Sequence, residues 1–173
     1  MNFELSEEQQ LLQDSVARFV ADHYSLDARR KLADSSQGYS DDHWKQFAEL
    51  GWLALPFSEE DGGLGGTVID ALVVMEQFGK GLILEPYFAT VILGGGVLKR
   101  LSASEIRSAR ISAVMEGRLK LALATTELQS RWDLHDVVST ATPDGEGFVL
   151  NGSKSVVLHG ASADGIIAVS YTH

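Results

Sequence analysis

Cysteine is absent from the 173 residues, which removes disulfides, thiolate nucleophiles and cysteine-ligated zinc or iron–sulfur centres together, and makes a reducing compartment the unforced expectation. Bases are in deficit: 14 Lys and Arg stand against 24 Asp and Glu, a formal net charge of -10. Nucleic-acid binders display a basic face, and none is visible here, so no nucleic-acid partner is expected. The opening run Met1-Asn2-Phe3-Glu4-Leu5-Ser6-Glu7-Glu8 has neither the basic start nor the apolar stretch of a secretory leader, and a cytoplasmic location is expected. Long hydrophobic runs are missing too. The most apolar stretch, Gly81 to Leu98, is broken by Glu85 and Pro86 and diluted by Gly94, Gly95 and Gly96. It falls short of the roughly 20 residues a bilayer span needs, so no membrane helix is expected.

Metal chemistry has little to work with. Histidines stand at 23, 43, 135, 159 and 173, and no pair has the i, i+4 or H-x-E spacing of a metal site. Glu59-Glu60-Asp61 lacks the alternating oxygen ligands of a calcium loop and reads as a solvated turn. The glycines of 62–66 follow no strand and precede no suitably placed lysine, so they are not a nucleotide-phosphate fingerprint. No serine sits in a G-x-S-x-G elbow.

What is present is an ordinary globular composition, 45% hydrophobic and 22% charged. A chain of this length buries about 70% of its unfolded surface, enough for one sizeable core or two small domains sharing one. The net charge is uneven, with 16 acids and 6 bases in residues 1–86 against 8 of each in 87–173. A polyanionic ligand should therefore favour the second half.

Ser6-Glu7-Glu8-Gln9 has capping-box spacing, and Leu12, Val16, Phe19 and Val20 recur at helical intervals, which predicts a helix over 7–23. A second helix starts near Ser40, presents Trp44, Phe47 and Ala48, and stops at Gly51. Asp61 to Gly66 is a glycine-rich loop, after which Thr67-Val68-Ile69-Asp70 opens a helix through Leu72, Met75 and Phe78 to Gly79. Pro86 opens a fourth helix, and Ser102-Ala103-Ser104-Glu105 caps a fifth that ends near Gly117. The period then changes to that of strands: Leu119, Leu121 and Leu123 alternate with smaller or polar neighbours. Further strands are expected at 137–142, 147–150, 155–158 and 166–169, with Asp144-Gly145 and Asn151-Gly152 as turns. The expected class is α+β, a helical domain over 1–117 followed by the first strands of an antiparallel β domain over 118–173. With no evident protection for its last edge, the sheet looks like a piece of something longer.

The order of segments carries a resemblance. Trp44-x-x-Phe47-Ala48-Glu49-Leu50-Gly51-Trp52, then Ser58 through Gly66, then Met75-Glu76-Gln77-Phe78-Gly79-Lys80-Gly81 resembles the N-terminal helical domain of acyl-CoA dehydrogenases. Ala122-Leu123-Ala124-Thr125-Thr126-Glu127, Phe148 through Lys154, and Ala163-Asp164 continue that likeness in order and spacing. The resemblance implies a flavoprotein oxidoreductase of fatty acid metabolism, with FAD as cofactor, an acyl-CoA substrate, an electron-transfer acceptor and a homo- or hetero-oligomeric assembly. Such enzymes have a helical domain, a β domain and a C-terminal helical bundle. They oxidise the Cα–Cβ bond of the thioester, and the bundle usually supplies the carboxylate base. That bundle lies beyond the resemblance, so no residue here is nominated as base, Glu127 included, and the chain alone is expected to be inactive.

The same match implies that Leu123, Thr125 and Thr126 line the flavin, with Thr126 bonding its polar edge. Two departures follow. Arg131 and Trp132 stand where the family commonly has a glycine and a phosphate-binding serine, and Val156 and Leu158 replace an aromatic and a threonine beside the flavin. The Glu127 to Leu134 run and Lys154 to Gly160 look most like pimeloyl-CoA dehydrogenase small subunits, which implies pairing with a large subunit. An alternative follows: a non-catalytic partner subunit with a degenerate flavin site. The glycines at 94–96 leave room either for an acyl chain or for close helix packing, and packing is the preferred reading.

Overall fold

The computed structural model describes residues 4–171. It holds α1 (Glu7–His23), α2 (Leu26–Ala33), α3 (Asp41–Glu49), α4 (Val68–Gly81), a π-helical stretch Phe88–Gly94 that runs into α5 (Gly95–Leu98), and α6 (Glu105–Met115). Four strands follow, β1 (Leu121–Ala124), β2 (Thr140–Asp144), β3 (Gly147–Asn151) and β4 (Gly165–Ala168). Among the described residues no helix is long and apolar enough to cross a membrane.

Local chemistry starts α1, α3 and α4 where the sequence indicates. Ser6 and Gln9 form a reciprocal capping box, with the Gln9 amide donating to Ser6 Oγ at 3.2 Å and the Ser6 amide to Gln9 Oε1 at 3.1 Å. Thr67 and Asp70 repeat the motif on α4, and the Gln9 side chain donates to Asp70 Oδ1 at 3.0 Å, tying the two helix starts together. Ser104, not Ser102, caps α6 by accepting from the Arg107 amide. Gly51 and Gly117 adopt φ of +77° and +71°, the left-handed geometry in which a side chain is strained. The short helix α2, capped by Ser25, has few apolar positions and gives no strong periodic signal.

The core is aromatic. Phe19, Trp44, Phe47, Trp52, Phe57, Phe78 and Tyr87 are buried in one cluster with Val16, Val74, Ile111, Val114 and Leu121. The Trp44 indole donates to the Gly117 carbonyl at 3.0 Å, so the ring fills the core without an orphaned donor. Thr90, within the π-helical stretch, joins the helices to the sheet: its hydroxyl donates to the Leu121 carbonyl and accepts from the Leu121 amide, each at 3.1 Å. Gly94 and Gly95 are contact points. A Cβ on Gly94 would stand 2.7 Å from Leu121 Cβ, and one on Gly95 would stand 2.7 Å from Phe57 Cζ.

The strands differ from the expected arrangement in three ways. β2 pairs with β3 antiparallel, but β1 pairs with β4 in parallel, with Leu123 opposite Ile167. The second strand begins at Thr140, because the amides of Val138 and Ser139 are spent on the Glu127 carboxylate and are lost to a ladder. Residues 155–158 form no strand. Val156 and His159 take φ of +52° and +55°, and the Ser155 amide donates to the Thr126 carbonyl at 2.8 Å, so the segment turns beside the end of β1.

Candidate functional site

The end of β1 gathers most of the nominated residues. Leu123, Thr125 and Thr126 are half-buried, while Val156 is 82% exposed and Leu158 47% exposed. The Ser155–Thr126 hydrogen bond sets the Val156 segment alongside Thr125 and Thr126. Leu123 lies in the β1–β4 ladder, and Leu158 begins the turn into the 3-10 helix Gly160–Ser162. The result is a surface of threonines and exposed aliphatic side chains at the tip of a strand, a chemistry that fits a flat ring with one polar edge.

Beneath this surface lies a residue whose role the sequence did not reveal. The Glu127 side chain is 2% exposed and its carboxylate gathers four donors: Lys154 Nζ at 2.6 Å, the Val138 amide at 2.9 Å, the Ser139 amide at 3.1 Å and Gln129 Nε2 at 2.8 Å. Lys154 also donates to the Thr125 carbonyl at 3.2 Å. The Lys154 ammonium, followed by the donors on Ser139 and Val138, holds the Glu127 carboxyl well below the usual carboxylate range. A carboxylate with four donors and a lowered pKa is a poor proton acceptor.

The lowered pKa has a stability consequence. Glu127 contributes fully above the ordinary carboxylate value of 4.5, and that contribution is lost as pH falls below it toward the depressed folded value. Acid titration of unfolding free energy is expected to give Glu127→Gln a shallower decline below that pH than the wild type. Parallel slopes would remove Glu127 from the acid response.

The loop from Glu127 to Ser139 shows how the two departures sit. Ser130 is buried and its hydroxyl is spent locally, donating to the Glu127 carbonyl at 2.8 Å and accepting from the Glu127 amide at 3.1 Å. Arg131 takes a left-handed φ of +48°, and Trp132 is 97% exposed. The Ser130 hydroxyl is therefore committed to the Glu127 backbone, and the side chains of Arg131 and Trp132 lie at the surface.

A second polar cluster lies in the helical part. Glu85 is buried, accepting from the Tyr24 hydroxyl and, at 3.1 Å, from the Ser40 amide, with His43 Nδ1 3.4 Å from the same carboxylate. Burial, and then the Glu85 carboxylate, push the Tyr24 hydroxyl pKa far up. A cavity of about 310 Å³ beside it is walled by Met75, Phe78, Leu82, Tyr87 and Phe88, with His159 at one side. Both Glu85 oxygens are engaged by the protein, which makes the cluster a clamp between α3, Tyr24 and the turn before the π-helical stretch. Sequence reasoning missed it, because Tyr24, Ser40 and Glu85 share no local motif.

A helical unit packed against β1 through Thr90 and Leu121, followed by a parallel and an antiparallel strand pair, defines the class, and the chain belongs to the acyl-CoA dehydrogenase family, whose N-terminal domain matches residues 6–118. Among individual relatives it is 28% identical over 174 residues to the probable acyl-CoA dehydrogenase YngJ of Bacillus subtilis, covering 99% of this chain and 45% of that protein. It is likewise 28% identical over 180 residues to the L-prolyl-[peptidyl-carrier protein] dehydrogenase of Serratia sp., covering 100% of this chain and 45% of the relative. The chain therefore spans a little under half the length of these relatives. Of solved structures, the ChsE4–ChsE5 complex from Mycobacterium tuberculosis superposes with TM-score 0.86 at 25% identity, covering 99% of this chain and 46% of that one. The FAD complex of PigA gives TM-score 0.83 at 28% identity, covering 100% and 46%.

Proposed function

We propose that this chain supplies one wall of the FAD site in an acyl-CoA dehydrogenase subunit that performs α,β-dehydrogenation of an acyl-CoA thioester. The observation that carries this reading is the joining of Thr125, Thr126 and Val156 at the end of β1, in a chain of this family. When bound, FAD would supply the acceptor for the hydride of the β carbon and the route to an external electron acceptor. The chain's own residues do the rest of what is proposed here. The Thr126 hydroxyl hydrogen-bonds a polar edge, and Val156 and Leu158 keep water from the ring face. Glu127 and Lys154 hold the strand end in place. The division into a helical domain over 1–117 and a β domain from 118 is part of the same reading, as is the base being supplied from outside these residues.

A second reading is favoured by the inward-turned Ser130 and the exposed Arg131 and Trp132. In it the chain belongs to a non-catalytic subunit, like the pimeloyl-CoA dehydrogenase small subunits, that completes a partner's site. The complete protein is expected to purify with a visible flavin band, and Thr126→Val to weaken FAD binding by about threefold to tenfold, the worth of one hydrogen bond. A colourless protein that gains flavin and turnover only with a partner subunit would favour the second reading. Absence of flavin under both conditions would refute both.

A further inference from the structure

Glu127 is a carboxylate removed from solvent, and its four donors come from three places in the chain. Gln129 and the amides of Val138 and Ser139 belong to the two ends of the 127–139 loop, and Lys154 belongs to the segment after β3. Lys154 extends the network to the Thr125 carbonyl, and the next amide along, that of Ser155, donates to the Thr126 carbonyl. Every backbone carbonyl from Ala124 to Glu127 is engaged, since Val169 donates to Ala124 and Ser130 to Glu127. The strand end is therefore held from two sides by one buried ion pair and its hydrogen bonds.

Geometry of this kind does more than stabilise. The helical core is held by aromatic packing and the β2–β3 ladder by its own backbone pairing, and none of the Glu127 donors belongs to either. Thr125, by contrast, accepts from Lys154, one of those donors. Val156 sits in a left-handed backbone conformation between Lys154 and the turn at 158–159, and the bonds from Lys154 and Ser155 are what fix it against Thr126.

We propose that Glu127 is a positioning residue for the cofactor site: through Lys154 it sets Thr125, Thr126 and Val156 in the arrangement that receives the flavin ring. This rests on the flavin reading above and extends it from the residues that face the ring to the buried group that places them.

The test uses the complete protein in the assembly in which it binds FAD. Glu127→Gln keeps the shape of the side chain and removes its charge. FAD affinity is expected to fall about tenfold or more, as for a lost charge-assisted hydrogen bond. The bound-flavin absorption bands should shift, and the amides of Val138, Ser139 and Ser155 should exchange faster while the α1 and α4 amides stay protected. Gln129→Leu, which removes one donor and leaves the ion pair, should act in the same direction by about threefold and guards against a Glu127 variant that fails to fold. Arg107→Gln breaks the pair to Asp61, a bidentate contact at 2.6 and 2.8 Å in the helical part, and serves as the control. Its FAD affinity should stay at the wild-type value. The proposal is overturned if folded Glu127→Gln binds FAD with unchanged affinity and spectrum, or if Arg107→Gln loses affinity to the same degree. A wild-type assembly that takes up no FAD would overturn the functional reading and this proposal with it, and that outcome is separable from the first because the wild type alone reports it.

Discussion

Truncating Phe47 to alanine is expected to cost about 3–5 kcal/mol. Its side chain is 0% exposed and its ring centroid lies 4.9 Å from Phe78, 5.2 Å from Trp52 and 5.3 Å from Phe19. Loss of the ring removes apolar burial and leaves a cavity that aromatic neighbours, fixed by their own contacts, fill poorly. Domains commonly hold about 5–15 kcal/mol in total, so a change of this size takes a large share of the margin. Denaturant unfolding of wild type and variant checks it. A difference below about 1 kcal/mol would mean that the cluster repacks, against the close packing described.

Replacing Gly95 by leucine is expected to destabilise the protein by about 1–3 kcal/mol or more, with loss of folded yield, and to leave acyl-chain preference unaltered in whatever protein remains. The cause is contact with Phe57, whose ring would stand 2.7 Å from the new Cβ. Gly96→Ala is the companion variant. Its nearest neighbour would be Arg100 Nη1 at 3.8 Å, so it should be tolerated or slightly stabilising, as expected for alanine in a helical segment. Thermal unfolding of both variants separates the cases. A Gly95→Leu protein with wild-type stability and an altered chain-length preference would show open space where close packing is described. Gly94 and Gly95 stand in close contact with Leu121 and Phe57, whereas Gly96 has room for a side chain.

Legibility of the fold followed the range of the interactions involved. The starts of α1, α3, α4 and α6 depend on Ser6, Ser40, Thr67 and Ser104, each bonded to an amide three residues on, so the signal lies in one short window. Gly51 and Gly117 mark helix ends for the same local reason. The segment 155–158 reads as a strand because Val156, Val157 and Leu158 suit one, yet its backbone is claimed by Thr126 and its Lys154 neighbour by Glu127. The parallel partner of β1 was equally invisible, since 40 residues and the whole β2–β3 hairpin separate Ala124 from Gly165 and neither segment names its mate.

The candidate site divides along the same line. Thr125, Thr126 and Val156 were nominated through their place in a resemblance, and the fold brings them together. Glu127 was recognised only as a residue not to be mistaken for the base. Its partners Val138, Ser139 and Lys154 lie 11, 12 and 27 positions away, and its burial exists only once they close around it. By itself the sequence determined the capped starts of α1, α3 and α4, the change from helix to strand near residue 118 and the family, because these rest on neighbours within a turn or on ordered segments. Tertiary structure alone decided which strands pair, which way residues 155–158 turn, where the buried carboxylates of Glu85 and Glu127 find their donors, and that Gly94 and Gly95 are filled by Leu121 and Phe57. Those outcomes depend on groups distant in the chain competing for the same amides and the same space, and such competition is resolved only when the chain packs.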